Sequence, residues 1–168
     1  MFKQALIFVI VLMSSVFTIN VTAAGHMGIM VMDAQARAMP PGAKNSAAYF
    51  TLMNHQKKNL TLVSAQSDVA EVTEFHDHFM IDGAMSMRQV HNLELAADGN
   101  ISFQPSGLHV MLIGLKKPLK PGELATITLQ FKNGESLVVE ADIVMPGDIL
   151  EASESMAGMH DKHVMPNN

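Results

Sequence analysis

The chain has 168 residues, a formal net charge of −5 and no cysteine. This length allows one domain with a substantial core plus terminal segments. An acidic balance with few clustered Lys or Arg argues against binding to nucleic acid or anionic lipid. The absence of cysteine excludes a thiol nucleophile, disulfide exchange, thiolate-bound zinc and blue-copper electron transfer.

Residues 1–24 have the pattern of a cleavable secretory signal peptide. Lys3 supplies the basic start, residues 5–17 are mostly apolar, and small and polar residues follow as far as Ala24. An uncleaved membrane anchor is the alternative, because residues 5–24 make a run of about 20 residues, although several polar residues interrupt it. We expect export to the periplasm without a lipid anchor or membrane span, and a net charge of −6 once Lys3 is removed.

Residues 25–147 are predicted to form one all-β domain, without internal repeats. Turn signals such as Asp82-Gly83 and Asn133-Gly134 separate short apolar or alternating runs, and residues 125–131 alternate most clearly. This pattern predicts an antiparallel sandwich or a small barrel. The candidate strands are residues 29–33, 47–54, 60–67, 72–80, 85–91, 101–104, 108–112, 124–132 and 137–144.

The strand pattern stops before residues 148–168, which are predicted to form a flexible tail, disordered without metal. Its candidate metal ligands are Met156, Met159, His160, His163 and Met165. Because thioethers and imidazoles are donors that suit copper, these side chains could capture copper, including Cu(II) through the imidazoles, and pass it to a site in the folded domain at high effective concentration. The alternative is a solvated terminus without a function.

Four residues, His76, Met87, His109 and Met111, stand in the pattern H-x10-M-x21-H-x-M. Two imidazoles and two thioethers are neutral donors that suit Cu(I), whereas Mg²⁺, Ca²⁺ and Mn²⁺ prefer oxygen. A single Met in a sandwich is most often a core residue, and a single His is more often solvated than a ligand. The joint spacing, in a chain where thirteen of fifteen Met and all eight His follow residue 24, therefore indicates a metal site.

The local patterns predict how some of these donors are arranged. His109 and Met111 should project from one face of a strand, about 7 Å apart at their Cα atoms, while Val110 faces the core. A hairpin through Asp82-Gly83 would bring His76 and Met87 towards one region, but the sequence leaves open whether His109 and Met111 face them.

Other His and Met residues receive weaker roles. His78 and Met80 share the predicted strand face of His76, and together with Met85 they are candidates for supporting groups or additional ligands. His55 and His91 are expected to be structural or surface residues.

Three segments resemble the PCuAC-type periplasmic copper chaperones: an opening segment of residues 33–37 and 40–49, then residues 82–88 and residues 107–119. The resemblance extends over residues 29–144. It implies a cupredoxin-like antiparallel β-sandwich of the Greek-key type. It also implies a Cu(I) site near solvent at His76, Met87, His109 and Met111. The implied role is delivery of copper to cytochrome c oxidase assembly, through the oxidase's copper-bearing subunit or a Sco-like copper protein. The opening segment departs from the family pattern, since it is crowded with methionines: Met27, Met30, Met32 and Met39.

Other functions compete with the chaperone interpretation. A Met- and His-rich copper buffer or resistance protein would bind copper without a dedicated acceptor, and a plain β-sandwich could be an interaction module. Signal cleavage after Ala23 would place His26 third from a free amine, a Cu(II)-chelating arrangement, whereas cleavage after Gly25 would begin a histidine brace such as copper oxygenases use. The small domain has no Trp that could form a polysaccharide-binding face, and it has no G-x-S-x-G motif of the kind that hydrolases use. We therefore predict a copper chaperone rather than an enzyme.

Overall fold

The structure is a computed structural model that describes residues 28–81 and 83–149. The predicted signal peptide, His26 and the copper ligands predicted in the tail lie outside these residues. Within the part described, no helix is long and apolar enough to cross a membrane. Ten strands are present: β1 (Ile29–Arg37), β2 (Asn45–Asn54), β3 (Leu60–Ser67), β4 (Ala70–Ile81), β5 (Ala84–Gln89), β6 (Leu93–Leu95), β7 (Asn100–Phe103), β8 (His109–Leu115), β9 (Leu124–Phe131) and β10 (Ser136–Val144).

The strands are hydrogen-bonded to one another in the order β5-β4-β8-β2-β1-β10-β9-β3-β6, and β7 also pairs with β2. The pairing of β1 with β10 is parallel, and the other named pairings are antiparallel. Every strand except β5 contributes side chains to a single buried cluster. The predicted all-β, mainly antiparallel sandwich is confirmed.

Alternation along the strands places one face of each against this core. In β9, Ala125, Ile127, Leu129 and Phe131 are buried and the residues between them are not. Phe50, Phe75 and Phe103 stack in the interior, with ring centroids 4.7 Å apart for the first and third and 5.8 Å for the second and third. This packing attaches β4 to β2 and β7.

Each predicted strand is found, although two features of the sheet were missed. β6 was not predicted because three residues are too short to show an alternation. β1 continues to Arg37, beyond the predicted end at Asp33, where the pairing register with β2 shifts between Met32 and Gln35. Asp33 has a φ of 52°, so a bulge interrupts the alternation while the strand continues.

The β4–β5 hairpin forms one edge of the sheet, and β8 lies on the other side of β4. Phe75 of β4 is paired with Val110 of β8, and both are buried in the core. Their sequence neighbours therefore point to the opposite face of the same strands.

Candidate metal centre

His76 and His109 face each other across the β4–β8 pair. They are directly opposite in the antiparallel register, and their ring centroids are 6.1 Å apart. Only 5% of His109 is exposed, and the His76 side chain is 14% exposed. The pairing decides what the sequence left open, because it brings together histidines more than thirty positions apart.

A backbone carbonyl orients the His109 ring. The Nδ1 atom of His109 lies 2.7 Å from the Gly107 carbonyl oxygen, and because a carbonyl can only accept, Nδ1 carries the proton. The lone pair is then on Nε2. A ring nitrogen held in this way is the usual support for a metal-binding histidine, since it sets both tautomer and orientation.

Glu74 orients the His76 ring in the same manner. Its Oε2 atom lies 2.8 Å from His76 Nε2, and because a carboxylate accepts, Nε2 is the donor. The other nitrogen, Nδ1, is buried and finds no hydrogen-bond partner among the described residues. An unsatisfied buried acceptor costs about 1–3 kcal/mol, so a metal bond at Nδ1 would remove a penalty that the fold otherwise carries.

Burial also keeps His109 in the form that binds metals. Desolvation lowers the pKa of His109, the hydrogen bond to Gly107 opposes that change, and the neighbouring His78 and His76 lower the pKa further while Asp77 raises it. The net direction is downward, which favours the neutral imidazole. Metal ions bind the neutral ring, so less proton competition is expected at His109 than at an ordinary histidine.

The two predicted thioether ligands lie on the same face as the histidine pair. Met87 is opposite His78 in the β4–β5 pair, and Met111 is opposite Glu74 in the β4–β8 pair. Each is therefore a diagonal neighbour of His76, about 7–8 Å away at the Cα atoms in a regular sheet. Met87 is 44% exposed, and its long flexible side chain can reach towards the imidazoles.

Two further residues belong to this group. The ring of His78, which the sequence left as a supporting candidate, lies 5.4 Å from that of His109, with Nδ1 3.3 Å from the Gly107 carbonyl oxygen. Glu74 was not singled out, although its position two residues before His76 places it on the same strand face. Within the described ranges, no group of three or more His, Cys, Asp or Glu could hold a metal ion without the methionines.

The remaining predicted residues are placed as follows. His55 and His91 are exposed, as expected for surface residues. Met80 and Met85 are opposite each other at the far end of the β4–β5 hairpin. The auxiliary candidates His26, Met156, Met159, His160, His163 and Met165 lie outside the described residues.

Comparison with solved structures defines the fold. The copper-bound PCuAC domain from PmoF2 matches with a TM-score of 0.59 and 21% identity, over 71% of this chain and 94% of that domain. The solution structure of CuI-DR1885 from Deinococcus radiodurans matches with a TM-score of 0.55 and 35% identity, over 73% of this chain and 84% of that protein. The fold is thus the cupredoxin-like sandwich predicted from the family resemblance.

Comparison of sequences places the chain in a family. Residues 29–143 match the family model described as "Putative lipoprotein LpqE-like". "Putative lipoprotein Lxx21020" of Leifsonia xyli is 28% identical over 132 residues, 78% of this chain and 76% of that protein. "Uncharacterized protein RP573" of Rickettsia prowazekii is 31% identical over 100 residues, 59% of this chain and 55% of that protein. The chain belongs to the LpqE-like family, and its predicted PCuAC-type kinship is confirmed.

Proposed function

We propose that this protein is a periplasmic copper chaperone that binds Cu(I) through His76, Met87, His109 and Met111. The observation that carries the proposal is the facing pair of His76 and His109, in which one nitrogen of each ring is held by a hydrogen bond and the other is left for a ligand. Similarity to the copper-bound PCuAC domain from PmoF2 and to CuI-DR1885 supports copper as the cargo.

The donor set suits a carrier. Two imidazoles and two thioethers satisfy Cu(I) without adding negative charge, and no donor proton need be released above the histidine pKa. His109 is almost fully buried while Met87 is 44% exposed. An acceptor's thiolate or thioether can therefore displace Met87 first, while the buried imidazole keeps the ion from escaping. Because the copper is bound and released as Cu(I) without any chemical change, the activity proposed is transport rather than catalysis.

The proposed acceptor is the copper-bearing subunit of cytochrome c oxidase, or a Sco-like copper protein that supplies it. The family resemblance supports this assignment, and the predicted signal peptide in residues 1–24 supports a periplasmic location. A copper buffer without a dedicated acceptor is the competing function. The two differ in stoichiometry and selectivity, since a buffer should bind several Cu(I) ions and release them to any strong ligand.

An anaerobic Cu(I) titration against a chromophoric chelator tests the binding site. We expect one tight equivalent in the wild-type protein and its loss in the His109→Ala/Met111→Ala variant. The matched control is Met53→Ala/His55→Ala, which removes a thioether and an imidazole with the same two-residue spacing from the end of β2 and the residue just beyond it. Undiminished tight binding in the His109→Ala/Met111→Ala variant would place the copper elsewhere and contradict the proposed ligand set.

A transfer experiment tests the chaperone role. The Cu(I)-loaded protein is mixed with the copper-free soluble domain of the oxidase subunit or with a Sco-like protein, and copper is followed after the proteins are separated. Transfer to these acceptors, but not to an unrelated protein of similar copper affinity, is the expected result. Equal transfer to all of them would favour the buffer.

A further inference from the structure

The end of the β4–β5 hairpin carries an exposed pair of methionines. Met80 and Met85 are directly opposite each other, and with 65% and 64% of their surface exposed they are the two most exposed large hydrophobic residues in the described ranges. β5 contributes nothing to the buried core. Core packing therefore does not explain this pair, and apolar side chains on an exposed edge strand carry a risk of aggregation.

The pair lies in line with the candidate metal centre. Along β4, Met80, His78 and His76 alternate onto one face, and on β5 Met85 and Met87 are opposite Met80 and His78. Same-face residues are about 7 Å apart along a strand. A row of soft and borderline donors thus extends about 14 Å, from the exposed hairpin end to the buried histidine pair.

Two facing methionines can hold one soft cation between them. Opposite residues in an antiparallel pair have Cβ atoms about 4.5–5.5 Å apart, and Met side chains are long, flexible and polarizable. Thioethers select Cu(I) over ions that require oxygen. With two neutral sulfur donors and high exposure, such a site should hold Cu(I) weakly and exchange it readily.

We propose that Met80 and Met85 form a second, weaker Cu(I) site, through which copper enters and leaves the His76–His109 centre by way of Met87. This inference rests on the proposed copper-carrying function of that centre. The step is ligand exchange: a new sulfur–copper bond forms as an old one breaks. Copper remains Cu(I), and no proton or electron is transferred.

Methyl-labelled methionine NMR tests the site directly. The protein is labelled with ¹³C at the Met methyl groups, which are assigned with single Met→Leu variants, and titrated anaerobically with Cu(I). We expect the first equivalent to shift the methyl signals of Met87 and Met111, and further additions to shift those of Met80 and Met85. The signals of Met30 and Met53, another opposed pair but on β1 and β2, should respond less.

The outcomes separate the two proposals. If Met87 and Met111 shift while Met80 and Met85 stay unchanged up to three equivalents, the second site is wrong and the central site stands. If Met87 and Met111 do not respond to the first equivalent, the proposed ligand set fails. A response of Met30 and Met53 equal to that of Met80 and Met85 would show unselective thioether binding and overturn the second site.

A kinetic comparison tests passage through the pair. Met80→Leu/Met85→Leu keeps the apolar volume but removes both sulfur donors. If the pair acted only as an apolar docking surface, this variant would therefore behave like the wild-type protein. We expect tight Cu(I) binding to be unchanged and Cu(I) transfer to a chromophoric chelator to slow severalfold. The control, Met30→Leu/Met53→Leu, should transfer at the wild-type rate. A wild-type rate in Met80→Leu/Met85→Leu would overturn the entry route.

Discussion

At His109, one backbone carbonyl determines which ring nitrogen keeps a lone pair available for a ligand. The Gly107 carbonyl oxygen accepts a hydrogen bond from the Nδ1–H group of His109, just as Glu74 accepts one from the Nε2–H group of His76. The two histidines therefore present different nitrogens, Nε2 from His109 and Nδ1 from His76. Since both rings are oriented before a ligand arrives, little ordering entropy remains to be lost on binding.

The lowered pKa of His109 predicts a pH dependence of stability. Burial is its main cause, and the unfolded chain should titrate near the ordinary histidine value of about 6.5. At pH values between the lowered pKa of His109 in the folded state and about 6.5, the unfolded state binds the proton and the folded state does not. The contribution of His109 to stability should therefore be complete above about pH 6.5 and decline as the pH falls below it.

Urea unfolding of the metal-free protein across this pH range measures the effect. The wild-type protein should lose more stability on acidification than the His109→Gln variant, which cannot titrate. Replacing the exposed His55 by Gln controls for the histidine-to-glutamine change itself. Parallel slopes for wild type and His109→Gln would contradict the direction of the pKa shift.

At the scale of a single element, β8 contributes side chains to both the core and the candidate metal centre. Val110 and Leu112 are fully buried, so His109 and Met111 must project from the other face. The H-x-M spacing is thus the direct product of strand alternation. Near its end the strand turns at Gly114, which has a φ of 68°.

Gly114→Ala should destabilise the protein. A left-handed φ costs a non-glycine residue about 1–3 kcal/mol, and the new Cβ would lie 2.8 Å from Glu71 Oε2 and 3.1 Å from its Cβ. Gly134→Ala is the matched control, since Gly134 also has a positive φ, 88°, but no atom within 4 Å of the added Cβ. Chemical denaturation should show the larger loss for Gly114→Ala, and equal losses would mean that the contact with Glu71 relaxes freely.

Across the whole molecule, the candidate metal centre and the core lie on opposite faces of the same strands. Phe75 lies between Glu74 and His76 in sequence, is 3% exposed and packs against Phe103. The core therefore holds the backbone that presents the side chains of the candidate metal centre. This arrangement couples the precision of the site to the packing behind it.

Phe75→Ala should lower the free energy of unfolding by about 3–5 kcal/mol, because it leaves a cavity in a packed interior. Phe79→Ala is the control on the same strand: Phe79 is 41% exposed, and its loss should change stability by less than about 1 kcal/mol. Urea denaturation of both variants measures the difference. Similar values would show that the core does not anchor β4 at Phe75.

The strands were predictable where alternation is local, as in residues 125–131, and less so where the backbone departs from regular geometry. The bulge at Asp33 interrupts the alternation of apolar and polar residues, so the second half of β1 was not predicted. β6 is too short to show an alternation. At the candidate site, the sequence indicated only a supporting role for His78 and did not single out Glu74. Their roles depend on contacts made in the folded protein, His78 with the Gly107 carbonyl oxygen and Glu74 with Nε2 of His76. No residue pattern shows such contacts.

The sequence by itself determined the candidate donors, because His76, Met87, His109 and Met111 are fixed in type and spacing, and strand alternation puts His109 and Met111 on one face. It also determined the hairpin that brings Met87 beside the strand of His76. Only the tertiary structure decided that His76 faces His109. That contact depends on the pairing of β4 with β8, and the register of strands distant in the chain is set by the packing of the whole core, with Phe75 and Val110 together on its inner side.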